Sequence, residues 1–120
     1  MANGPDIVSY LEAGLRAGGL RGKVIADNLA NLNTSGFRRG EVRFEDLLAR
    51  AMGSEGSSDL AEVTPEVFRP QSTPINDQGS DVNMDLEIGL MVKNSTKSAV
   101  LLRTLGKYYR QIESAIGENV

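Results

Sequence analysis

The side chains of this sequence best equipped for chemistry are its carboxylates, and they fall into two groups. Glu41, Glu45 and Asp46 form one; Asp81, Asp85 and Glu87 form the other. Two carboxylates can run general acid–base chemistry when one is held protonated beside an ionised partner. Both groups also have a simpler reading. Each sits at the start of a helical pattern, where negative charge favourably meets the helix dipole. The stretch NDQGSDVNMD (76–85) spaces Asp77, Asp81, Asn83 and Asp85 around Gly79. It lacks the residue order and distal Glu of a calcium loop, so it reads as a turn leading into a capped helix. The glycine-rich AGGLRGK (17–23) lacks phosphate-loop spacing, and Val24 stands where the hydroxyl would be. Arg38, Arg39 and Arg43 read first as partners for acidic groups on a neighbour, with phosphate binding as the alternative. The chain has no Cys and no His. That excludes disulfides, thiolate nucleophiles, Cys/His zinc sites and Ser-His-Asp triads. No catalytic set, metal site or cofactor is expected, and the chain reads as a protein that is not an enzyme.

The bulk properties point the same way. The net charge of -3 is mild and the signs are interspersed, without the basic footprint of a nucleic-acid binder. No small-molecule substrate is implied. The opening MANGPDIVSYLEAG shows no basic segment followed by an apolar run, so no cleaved secretory signal is expected. No run of about 18 apolar residues is present to span a bilayer as a helix.

These residues must be carried by helices. From Asp6, a candidate cap, to Leu32, apolar side chains recur at Ile7, Leu11, Leu15, Leu20, Val24, Ile25, Leu29 and Leu32, a helical spacing. Gly14, Gly18, Gly19 and Gly22 interrupt it, each costing about 1 kcal/mol relative to Ala. Such a helix needs a partner surface. VRFEDLLARAM (42–52) predicts a short helix, and GSEGSSD (53–59) a linker. Pro65, Pro70 and Pro74 exclude a continuous helix beyond it; short extended pieces at 66–69 and 73–76 are expected, as an edge hairpin. Asp81 or Asn83 then caps a last helix. Its positions Met84, Ile88, Met91, Ser95, Ser98, Leu102, Leu105, Tyr109, Ile112 and Ile116 alternate steps of four and three, a heptad seam. Small polar residues at its centre match the glycines of the first helix. If the two helices pack antiparallel, Gly14–Gly22 would face Ser95–Ser98. The expected fold is mainly α, with long N- and C-terminal helices packed antiparallel as a coiled coil and a Pro/Gly-rich, partly extended middle. The parts divide as 1–37, 38–83 and 84–120.

Between the first helix and the middle lies DNLANLNTSGF (27–37). Asn28 and Asn31 are three apart, so they share one helix face, where amides can donate and accept. Asn33 and Gly36 fit a helix exit, and Phe37 can anchor a turn in a neighbour. Asn28, Asn31, Asn33, Thr34, Gly36 and Phe37 are therefore read as an intersubunit motif, with plain helix capping as the alternative.

The segment Ala26–Phe37, ADNLANLNTSGF, resembles the AxNLANxxTxGF/Y signature of the rod and hook axial proteins of the bacterial flagellum. The usual ending is Thr-Pro-Gly-Tyr; here it is Thr34-Ser35-Gly36-Phe37. Glu41-Val42-Arg43-Phe44-Glu45 is similar to the stretch that follows the signature in proximal-rod members. Val82-Asn83-Met84-Asp85 and Leu101-Leu102-Arg103-Thr104-Leu105-Gly106 are similar to the C-terminal helix of the family. The resemblance implies a structural subunit of the proximal rod of the basal body, of one of two neighbouring proximal-rod types. It implies self-association in a helical tube and partners among other rod proteins, the MS ring and the export gate. It also implies passage through the flagellar type III export apparatus without a cleaved signal. A soluble helical adaptor is the alternative from outside the family.

Overall fold

Alanine and glycine alternate along the first helix in a way that gives it two usable faces. In the computed structural model, which describes residues 7–53 and 62–118, this helix is α1 (Ile7–Ala30). Ala13 and Ala17 are fully buried and pack with Val42, Phe44 and Leu48; Leu20, Val24 and Val63 lie against this cluster. The second face carries Gly14, Gly18 and Gly22, and it receives the last helix, α3 (Met84–Glu118). Asp6 and most of the 53–59 linker lie outside the described residues.

The two long helices run antiparallel, with Gly14 against Leu101, Gly18 against Ser98 and Gly22 against Asn94. A Cβ at Gly18 would stand 2.6 Å from the Ser98 hydroxyl, and one at Gly14 would stand 3.0 Å from Leu101. The Asn94 amide donates to the Gly18 carbonyl at 2.9 Å. Close approach is thus the use of Gly18, and the packing of α1 on α3 offsets its poor helix propensity. Ser95, expected beside Ser98, is exposed, and Asn94 takes its place.

Between the long helices lie β1 (Glu41–Arg43), α2 (Glu45–Gly53) and β2 (Glu66–Phe68). The helix expected over 42–52 starts only at Glu45, because Val42 and Arg43 are drawn into a strand. The expected hairpin of 66–69 with 73–76 does not form. β2 instead pairs antiparallel with β1, with Val42 opposite Val67 and Arg43 opposite Glu66. Residues 73–76 contain no strand: Pro74 has no N–H to give a ladder, and Asn76 is committed to a turn. The Arg43 guanidinium lies 4.4 Å from the centre of the Phe68 ring, a cation–π contact across the small sheet.

The described part measures 65 × 31 × 14 Å, so the molecule is a slab little thicker than one helix. With 35 residues against 24, α3 outlasts α1 by about 16 Å at 1.5 Å per residue. The heptad seam read from the sequence does not face α1 as a whole. Leu105 is buried, but Met84, Ile88, Met91, Leu102, Tyr109, Ile112 and Ile116 are exposed, Ile116 by 63%. The line that meets α1 runs through Glu87, Leu90, Asn94, Ser98, Leu101 and Leu105. Single-helix periodicity cannot separate these two stripes, since they share Ser98 and Leu105.

Candidate assembly joint

α1 ends where its asparagines begin, and each asparagine has a different task. Asn28 is still in the helix and completely buried. Its oxygen accepts from the Gly40 N–H at 2.8 Å. Its amide donates to the Gly40 carbonyl and to Glu87 Oε1, both at 3.0 Å. One side chain so ties α1, the strand-leading loop and α3 together. Expected on the surface as a joint to neighbours, Asn28 uses its hydrogen-bonding capacity within its own chain, and the intersubunit reading does not hold for it. Asn31 folds back on the helix end, donating to the Asp27 carbonyl at 2.8 Å and accepting from the Thr34 hydroxyl at 3.1 Å. Asn33 is exposed.

The turn that follows is closed by the Phe37 N–H donating to the Thr34 carbonyl at 3.1 Å. Gly36 sits at φ 83, close to the roughly +80° a type II turn demands at this position, where a side chain is strained. Ser35 occupies the preceding position, which accepts Pro readily, so the Thr-Pro-Gly and Thr-Ser-Gly forms build the same turn. Phe37 is half-buried, with the Arg69 guanidinium 5.5 Å from its ring centre.

A second turn docks on this one. The Asn76 side chain organises it, accepting from Gln78 and Ser80 N–H groups at 2.8 and 3.2 Å and donating to the Val82 carbonyl at 3.0 Å. The Gly36 N–H donates to the Gly79 carbonyl at 2.8 Å, and the Ser80 hydroxyl donates to the Leu32 carbonyl at 2.8 Å. Gly79, at φ 86, lies against Ser35 so tightly that a Cβ would be 3.2 Å from its Cα. Asn83 then caps α3 through the Leu86 N–H at 3.1 Å, leaving Asp81 for another role.

That role lies in the buried charges beneath both turns. Arg39 donates through Nε to Glu87 Oε2 at 2.6 Å and pairs with Glu41 as well. Arg39, Glu87 and Asp81 are all essentially inaccessible. Asp81 Oδ1 accepts the Arg39 backbone N–H at 2.6 Å, while Oδ2, buried without a hydrogen bond, lies 3.8 Å from Arg38. Burial by itself would make Arg39 easier to deprotonate; the hydrogen bonds to Glu87 and Glu41 reverse this and hold it above its ordinary value. The expectation for Arg39 is acids on a neighbour, and Glu87 reads from the sequence only as one of a loose group of carboxylates. The signal in the sequence was that Glu87 lies three, seven and eleven residues before Leu90, Asn94 and Ser98, on the inner stripe of its helix. Outside the knot, Arg21 chelates Glu45 with two hydrogen bonds, and Lys97 adds a third at 3.3 Å. These cations, Arg21 above all, hold the Glu45 carboxyl at about 2, against an ordinary 4.5.

The Asp81–Asn83–Asp85 alternation is thus divided among a buried charge, a cap and an exposed first-turn residue. Among the described residues no group of acids is placed to hold a metal ion.

The segment that carries the glycine face, Asn28 and the first turn is also where the chain matches a known family. Residues 14–38 match the model of the flagella basal body rod protein. The flagellar basal body rod protein FlgB of Borreliella burgdorferi is 26% identical over 111 residues, covering 78% of this chain and 82% of that protein. FlgB of Borrelia hermsii is 25% identical over 115 residues, covering 81% and 85%. FlgG of Caulobacter vibrioides is 44% identical over 99 residues, but the match covers only 38% of that protein and 75% of this chain. The matching family model and these relatives are all flagellar basal-body rod proteins, and this chain is similar to them. The two FlgB matches run over most of the length of both chains, whereas the FlgG match covers a minor part of its relative.

Proposed function

We propose that this chain is a subunit of the proximal rod that builds a helical tube through its two terminal helices, and that it has no catalytic role. The observation that carries this is the outward stripe of α3. Ile88, Met91, Leu102, Tyr109, Ile112 and Ile116 stand exposed on one slab only 14 Å thick. A run of large apolar side chains of this length marks a protein contact. Copies of the chain and other rod proteins cover it; the MS ring and the export gate are the further partners. Asn31, Asn33, Thr34, Gly36 and Phe37 present the turn side of the contact, above the clamp formed by Asn28. The three parts, 1–37, 38–83 and 84–120, act as clamp, spacer and seam. The subunit reaches the periplasmic rod through the flagellar export apparatus. No helix among the described residues is long and apolar enough to cross a membrane.

Deletion of the gene followed by electron microscopy of basal bodies tests this reading. Basal bodies without a rod are expected, and normal rods would end it. A soluble adaptor would instead leave rods intact.

A further inference from the structure

Beside the knot, α1, β1 and α3 enclose a cleft of about 440 Å³. Val24, Ile25, Val42 and Leu90 supply its apolar lining. Its charged residues are four cations, Arg21, Arg39, Lys93 and Lys97, against two carboxylates, Glu41 and Glu45. Arg39 is taken up by Glu41 and Glu87, and Arg21 chelates Glu45. Lys97 shares Glu45 with Arg21, and Lys93 has no ion pair with the described residues. The cleft therefore combines an apolar lining with surplus positive charge, on a chain whose net charge is -3.

The complementary shape is on the same molecule. Ile75 is 53% exposed and Asp77 is exposed. They flank Asn76, whose side chain fixes the turn through bonds to Gln78, Ser80 and Val82. An apolar side chain and a carboxylate are thereby presented on a rigid knob, which lowers the ordering cost of a contact. The knob adjoins the first turn of α3, whereas Lys93 and Lys97 lie about 15–20 Å further along its axis. That separation sets the knob apart from the two lysines of its own chain.

We propose that the Ile75–Asp77 knob of one copy docks in the Lys93/Lys97 cleft of the next, Ile75 against the apolar lining and Asp77 between the lysines. A contact between two different patches of one chain is heterologous, and it propagates into an open helix instead of closing as a dimer. The proposal rests on the self-assembly proposed above and names its contact.

The chain has no cysteine, so introduced thiols report cleanly. The gene carrying both Asp77→Cys and Lys93→Cys is expressed in the deletion strain, with motility as the gauge of assembly, and cells are mildly oxidised. Disulfide-linked dimers and higher multimers are expected, while each single variant gives at most a dimer. Absence of multimers in motile cells overturns the contact and leaves the rod reading standing. Should the double variant be non-motile, the purified full-length chain decides. Lys93→Glu is expected to weaken its self-association about tenfold, and adding Asp77→Lys to restore it. Self-association untouched by Lys93→Glu, or a chain monomeric at millimolar concentration, overturns the proposal.

Discussion

The two ends of the helical hairpin invert the usual relation between polarity and burial. At the turn end, an arginine, a glutamate, an aspartate and an asparagine are buried. At the open end, Tyr109, Ile112 and Ile116 are exposed. The turn end is complete within one chain, because almost every buried polar atom finds its partner there. The open end has apolar side chains that the described residues leave exposed, although the Tyr109 hydroxyl donates to Glu12 of α1 at 2.9 Å. The first end resembles the interior of a folded protein; the second resembles an interface awaiting its other half. On the proposed function, one chain keeps the shape of its joint by itself and leaves its seam to its neighbours.

The largest effect should come from breaking the closed end. Arg39→Ala leaves Glu87 buried without its counter-charge, and loss of one partner of such a pair costs about 3–5 kcal/mol. Urea unfolding followed by circular dichroism should register that loss, and a variant as stable as the parent would mean the knot is not closed in solution. Between the ends, Gly18→Leu forces a side chain into the Ser98 hydroxyl. Overpacking of this kind costs about 1–3 kcal/mol, read as a lower midpoint in the same titration. On the flank, Glu45 is held at about 2 in the folded chain, against 4.5. Its contribution is full above pH 4.5 and is lost as pH falls towards 2, because the unfolded chain takes up the proton first. The carboxylate is 53% exposed, so screening by water keeps the effect below about 1 kcal/mol. Melting of the parent and of Glu45→Gln should differ at pH 6 and converge by about pH 2. At the open end, Ile116→Ser should change the stability of the isolated chain by less than about 0.5 kcal/mol, yet reduce motility on soft agar. A large loss of stability in the isolated chain would show that α3 is covered after all.

Local rules made the helices legible, along with a cap at Asp81 or Asn83, of which the fold takes Asn83, and the antiparallel match of glycines to small polar residues. They failed where a partner distant in sequence took over. Val42 went into a strand because Val67 was available. Asn28 went inward because Gly40 and Glu87 converge on it from 12 and 59 residues away. Arg39 looked like one of three surface arginines, and only the fold distinguishes it from Arg38 and Arg43.

The sequence by itself determined that the chain is helical at both ends, that it lacks Cys and His chemistry, and that a glycine-lined helix needs a close partner. These follow from residue type and spacing, which act over a few turns. The tertiary structure decided which stripe of α3 faces α1. Packing on glycine favours the small residues Asn94 and Ser98, and this rotates the large apolar seam outward. It also decided that the asparagine motif is a clamp with a turn upon it, because a buried amide takes whichever partners the surrounding elements bring within 3 Å.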